Sequence, residues 1–190
     1  MTPLNDTQFL VLFAAHLNKM AGPEAIAAAT ELDRNSVDAV LEQASEAGFG
    51  ASMGAQFMIF PDGSQAVLDY CNSHYAQLRT EELQAWYERF EALNTQFIKL
   101  VTEWQTTSGD KDVEGKILKV VERLIRAIEK LLPDVPRYAH YVRRFNAGIA
   151  RVDAGDASFI VTPTKDSIHN VWFEFHEDIL SVLGRPRDTA

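Results

Sequence analysis

Two histidines and a row of carboxylates share one short stretch of the chain, Asp166-Ser167-Ile168-His169-Asn170-Val171-Trp172-Phe173-Glu174-Phe175-His176-Glu177-Asp178. On a helix His169 and His176 share a face, but their Cα atoms stand about 10 Å apart. One metal ion therefore needs ligands from another helix, such as His140 or Glu103. The zinc-protease pattern His-Glu-x-x-His is missing, because Asp178, Ile179 and Leu180 follow His176-Glu177. A serine-nucleophile reading of Ser167, His169 and Asp166 fails on geometry. Close neighbours on a helix point in different directions, and no Gly-x-Ser-x-Gly elbow surrounds the serine. Two roles remain for the histidines: packing between helices, bonded to acids or backbone, or lining a pocket for an organic ligand. Glu174, Glu177 and Asp178 are expected on the solvated side. Neither a metal nor a cofactor is predicted.

A second constellation is Arg137-Tyr138-Ala139-His140-Tyr141-Val142-Arg143-Arg144-Phe145. Arg137, His140, Arg144 and Arg151 fall at three, four and seven residue intervals, a basic stripe beside an aromatic one. A guanidinium fork next to aromatic rings suits a carboxylate or phosphate ligand. The plainer expectation pairs the stripe with Glu88, Glu91 or Glu103. Asn94 interrupts the otherwise apolar stripe Leu83, Trp86, Phe90, Leu93, Phe97, Leu100 and Trp104, and a buried amide needs partners. The candidate ligand-binding residues are accordingly Asn94, His140, Arg144, His169, Trp172 and His176, facing a small anionic or aromatic molecule.

The elements that must hold these side chains can be read from periodicity. The 190 residues are 46% hydrophobic and 24% charged, as expected of a globular chain. A lone cysteine, Cys71, on an apolar face with Val67 and Leu68, predicts an inert core thiol and no internal disulfide. Met1 to Thr7 carries no positive charge, and the apolar run Phe9 to Ala15 is too short to cross a bilayer, so the expectation is a cytoplasmic protein without membrane contact. Charge is uneven: residues 1–78 hold Lys19 and Arg34 against nine acids, whereas residues 79–190 hold 16 cations and 18 acids. That shift, with a change of pattern near Arg79, predicts two domains, 1–78 and 79–190.

In the first domain, helical spacing of Phe9, Leu10, Leu12, Phe13 and Leu17 ends at Gly22-Pro23. A second helix follows from Pro23 to about Leu32. A third, capped by Asp33 or Asn35, buries Val37, Val40, Leu41 and Ala44 and ends at Gly48. A two-stranded hairpin is expected over Phe49 to Phe60, then a turn at Pro61-Asp62-Gly63 and a helix from Ser64. The second domain reads as four helices. They lie along the Leu83–Trp104 stripe, along Ile117, Val121, Leu124, Ile128 and Leu131, after Pro133 or Pro136, and from about Lys165 to Leu183. The simplest packing of four such helices is an antiparallel bundle, giving a mainly α fold with one small hairpin.

The order helix-helix-helix-hairpin-helix, with Phe57-Met58-Ile59-Phe60-Pro61-Asp62-Gly63 at the returning strand, resembles a winged helix-turn-helix of the MarR-like class. That resemblance makes Asn35 to Ala47 the recognition helix and implies DNA binding, with Arg34, Asn35 and Ser36 as the contacts. The carboxyl-terminal half is similar to small uncharacterised actinobacterial helical proteins. It shares with them Leu100-Val101-Thr102-Glu103-Trp104-Gln105 and the Asp-Ser-x-His-x-x-Trp-Phe-Glu-x-His-Glu-Asp helix; no activity is implied.

The charges oppose the DNA reading. Duplex binding rests on Lys and Arg neutralising phosphates, yet residues 35–78 contain neither, and Asp38, Glu42 and Glu46 line the presumed recognition helix. A dimer would have to recruit Arg79 or the arginines of the bundle. The expected function is a non-enzymatic regulatory or adaptor protein, meeting a protein partner or a second copy of itself as a homodimer. The alternatives are a winged-helix transcriptional regulator, and an enzyme or accessory subunit using His169, Glu174 and His176.

Overall fold

The computed structural model describes residues 3–107, 109–163 and 166–186. It is mainly helical, with one small antiparallel sheet. Eight α-helices occur among the described residues: α1 Asp6–Asn18, α2 Pro23–Thr30, α3 Arg34–Glu46, α4 Pro61–Tyr75, α5 Glu81–Thr106, α6 Lys111–Glu129, α7 Ala139–Asp153 and α8 Ile168–Leu183. The strands are β1 Met20–Ala21, β2 Gly50–Met53 and β3 Gln56–Ile59, in the spatial order β1-β3-β2. None of the described helices is long and apolar enough to cross a membrane. Contacts divide the chain into two compact units, residues up to Arg79 with those from Leu180 onward, and Thr80–Ile179.

In the first unit α1 begins with a capping box: Asn5 Oδ1 accepts from Gln8 N at 2.9 Å while Gln8 Oε1 accepts from Asn5 N. Asp33 caps α3 by accepting from Ser36 N at 3.0 Å. Apolar faces then meet in one core, with Phe9, Leu12 and Val11 from α1, Ile26 from α2, Val37 and Leu41 from α3, Phe57 from β3, and Val67 and Cys71 from α4. Each large side chain fully removed from water contributes about 1.5–3 kcal/mol, so the core outweighs the weak propensities of such short helices.

Two expectations for this unit are corrected. Beyond the hairpin there is a third strand: Met20 and Ala21 pair with Met58 and Phe57 of β3. Two residues are too few to show a period in sequence. Nor is Pro61-Asp62-Gly63 a turn. Phe60 is the amino cap, Pro61 opens α4 as its first residue, and the reversal lies at Gly54-Ala55 between β2 and β3. Gly63 is therefore helical, and it is there because Phe60 N donates to Phe49 O at 2.8 Å directly beneath that turn. A Cβ on Gly63 would lie 2.3 Å from the Phe49 oxygen.

The end of α8 closes on this same unit. Gly184 adopts a left-handed φ of +69°, Gly184 N donates to Ser181 O, and Arg185 N donates to Leu180 O, a glycine stop to the helix. Arg79 lies against that glycine, its Nε donating to Val182 O at 2.9 Å and its Nη2 to Asn72 Oδ1 at 2.7 Å. The guanidinium thus answers an otherwise unpaired carbonyl at the negative end of the helix dipole.

In the second unit α5 packs on α6 and α6 on α7. Trp86 Nε1 donates to Ala127 O at 3.0 Å across the first pair. Phe175 of α8 sits edge-on to Trp86, Phe90, Tyr138 and Tyr141, bringing α5, α7 and α8 to one aromatic core. The helix after Pro136 starts as a short 3-10 turn, Pro136–Tyr138, and buries Tyr141, Phe145, Gly148 and Val152, with Val142 and Ile149 half-buried. Lys165, the expected start of the last helix, lies outside the described residues. The stretch between α7 and α8 holds another short 3-10 turn, Ala157–Phe159.

Substituting Gly63→Ala will lower stability by about 2 kcal/mol through the clash with the Phe49 carbonyl, read as a lower urea midpoint at unchanged slope. The control is Gly115→Ala in α6, where an added Cβ meets nothing within 4 Å. That change will raise stability by about 0.5–1 kcal/mol, through helix propensity alone.

Candidate functional site

Arg144 lies on α7 and Arg137 on the 3-10 turn before it, seven residues earlier, while Glu174 and Asp178, four apart, present one face of α8. Where α7 and α8 meet, these side chains join in two rungs. In the inner rung the Asp178 carboxylate is fully buried and takes both Nη groups of Arg137. It also accepts from Tyr138 Oη at 3.1 Å and from Tyr141 Oη at 3.0 Å. Burial, reinforced by the Asp178 charge, pushes both phenols well above the usual tyrosine range, so they serve here as hydroxyl donors. In the outer rung Arg144 Nη1 donates to Glu174 Oε2 at 2.6 Å, while Nη2 and Nε donate to Asp166. Burial opposes the Arg144 charge, but the hydrogen bonds and charges of Asp166 and Glu174 outweigh it and hold the guanidinium protonated.

Arg137 and Arg144 pair with Asp178 and Glu174 of α8 and with Asp166 just before it, where the sequence reading expects Glu88, Glu91 or Glu103 of α5. Glu174 and Asp178 are not on a solvated face. Their four-residue spacing fits a solvated face and an ion ladder equally, and the arginines that face them settle it. Glu177 is half-buried.

The other marked residues have separate partners. Asn94, buried in α5, accepts from Trp172 Nε1 at 2.9 Å, which accounts for an amide in an apolar stripe. Trp172 in turn stacks on Phe97 at 4.0 Å between ring centroids. His169 neighbours the same Phe97 ring, is exposed at the surface, and has an imidazole held below its ordinary range by partial burial. His176 Nε2 lies 3.1 Å from Tyr87 Oη and 3.2 Å from Glu91 Oε1 of α5. His140 Nδ1 donates to Arg137 O at 2.6 Å. Asn94, Trp172 and His169 are thus brought together around Phe97, whereas His140, Arg144 and His176 each sit in a different bonded group. Among the described residues no group of three or more His, Cys, Asp or Glu is placed to hold a metal ion.

On the first unit, the outward side of α3 carries Asp38, Glu42 and Glu46, all exposed. Arg34 is turned into this acidic surface: its Nε donates to both Asp38 oxygens at 2.9 Å and its Nη1 to Glu24. The bond to Asp38 raises the guanidinium further above its ordinary range. Ser36 donates through N and Oγ to Asp33, whose carboxyl is lowered by those bonds, and Asn35 is exposed. Arg79, the nearest alternative cation, is held by Val182 and Asn72.

Removing the buried acid will be costly. Asp178→Ala strands a guanidinium and two hydroxyls out of water, and stability will fall by about 3–5 kcal/mol in denaturant titration. Burial carries the His140 imidazole down to about 4 from 6.5. The unfolded chain therefore takes up this proton first. The folded state keeps its full advantage above 6.5 and loses about 3 kcal/mol as pH falls to about 4. His140→Gln will flatten that part of the acid dependence, measured as unfolding midpoints of variant and parent across the window. A scan against protein-family models and searches among curated proteins and solved structures each returned no match to this chain.

Proposed function

We infer that this chain is a non-enzymatic regulatory or adaptor protein: a winged helix used for protein contact, joined to an antiparallel helical bundle. The element order α1-β1-α2-α3-β2-β3, with β3 between β1 and β2, supports a winged-helix reading, in which α3 takes the place of the recognition helix. The observation that carries the reading is the outward face of α3, where three carboxylates are exposed and the lone arginine is held between Glu24 and Asp38. Phosphates would have to approach that face against its charge and pull Arg34 from two acids. A basic protein surface meets it with a complementary field, which raises the rate of encounter.

Ligand binding in the bundle has less support. An anion at Arg144 would have to displace Asp166 or Glu174, and the Asn94 carbonyl oxygen already receives the Trp172 N–H. An enzymatic reading needs His169, Glu174 and His176 to converge, and their partners lie on Phe97, Arg144 and the Tyr87–Glu91 pair respectively.

Fluorescence polarisation with a labelled random duplex, and with the gene's own upstream region, tests this directly. At low salt and micromolar protein no binding is expected. Tight, salt-sensitive binding lost on Arg34→Ala or Asn35→Ala would overturn the reading in favour of a DNA-binding regulator.

A further inference from the structure

The outer edge of the α5–α6 pair carries a cationic ridge. Lys116, Lys119, Arg123, Arg126 and Lys130 succeed one another at three, four, three and four residues, which places them in one stripe, and all five are exposed. Arg123 Nη1 donates to Gln96 Oε1 at 3.0 Å, so the stripe runs along the side of α6 next to α5. On α5 the edge beside Gln96 is mixed, with Arg89 seven residues before it, Lys99 three after and Glu103 seven after, so the cationic stripe is that of α6. None of these cations forms an ion pair among the described residues, unlike Arg34, Arg137 and Arg144.

We propose that this ridge docks the acidic α3 face of a second copy of the chain. The proposal rests on the protein-contact reading of α3 and names the partner. From Lys116 to Lys130 the ridge is about 21 Å long, with a charge every 5 Å or so. Asp38, Glu42 and Glu46 span about 12 Å at intervals of about 6 Å. Over that length the two repeats drift by less than roughly 2 Å, a mismatch the flexible Lys and Arg stems absorb. Glu42 and Glu46 have no ion pair among the described residues, so both surfaces arrive with charge to be answered. At physiological ionic strength charges are felt over about 8 Å, so the local match acts while the net charge of the two copies is screened.

Sedimentation velocity on the full chain at about 0.1 M and about 0.5 M salt tests the proposal, since a charge-driven contact weakens with screening. Association is expected at the lower salt and loss of it at the higher. Two surface variants accompany the parent, Lys119→Glu/Arg123→Glu/Arg126→Glu and Glu42→Lys/Glu46→Lys, with circular dichroism to check that each is folded. Each alone will sediment as a monomer, and an equimolar mixture will associate, because the ridge variant keeps an acidic α3 for the intact ridge of the α3 variant and the two reversed surfaces also match. A parent that stays monomeric at both salts, an α3 variant that still associates, or a mixture that does not, overturns the proposal. A labelled duplex is titrated in parallel. Binding lost in the ridge variant but kept in the α3 variant assigns the ridge to a polyanion and also overturns it. A monomeric parent that leaves the duplex unbound ends this proposal alone, whereas duplex binding through α3 ends the protein-contact reading beneath it.

Discussion

A carboxylate with no access to water must be fully answered by the protein, and Asp178 sets that demand at the centre of the second unit. Leaving such a group unpaired costs several kcal/mol, a large fraction of the net stability of a domain. The answer comes from one short segment, Arg137 to Tyr141, which supplies a two-pronged guanidinium and two hydroxyls. Meeting all four bonds at once dictates the approach of α7 to α8. Phe175, three residues before Asp178, is thereby seated between the rings of Tyr138 and Tyr141 and beside Trp86 of α5. Polar satisfaction and aromatic packing are consequences of the same docking.

This requirement also explains why residues suited to a ligand turn out to have internal partners. A guanidinium beside aromatic rings, a buried amide and a tryptophan N–H are what a binding pocket needs. They are equally what a helix pair needs in order to bury charge without loss. Arg144 with Asp166 and Glu174, and Asn94 with Trp172, illustrate the second use. Lys116, Lys119, Arg123, Arg126 and Lys130, exposed along α6, form no ion pair among the described residues. Function is sought where charge faces solvent without an ion pair among the described residues, as at Glu42 and Glu46 of α3 and along the α6 ridge.

Local pattern carried a good deal of this architecture. The buried positions of α3, Val37, Val40, Leu41 and Ala44, follow from spacing alone, as do the stripes of α5 and α6, whereas the structure chooses Asp33 over Asn35 as the cap. The opening of α4 was obscured because Pro-Asp-Gly is a turn sequence when read in isolation. Here the same proline opens a helix, and the glycine is there for the Phe49 carbonyl, a residue 14 positions earlier whose approach no local window contains.

Most helix positions, the apolar faces of α3, α5 and α6 and the charge asymmetry about Arg79 were therefore legible in the sequence itself, because each depends on neighbours within a turn or two. Which charges neutralise one another was decided only by tertiary structure. Glu174 and Asp178 have the spacing of a solvated helix face and of an ion ladder alike, and only the arrival of Arg137 and Arg144 distinguishes them. Arg34 and Arg79 likewise read as available cations until Glu24, Asp38, Asn72 and the Val182 carbonyl are brought to them. The physical reason is that the energy of a charge is set by what surrounds it within a few ångströms, and those surroundings are assembled from distant parts of the chain.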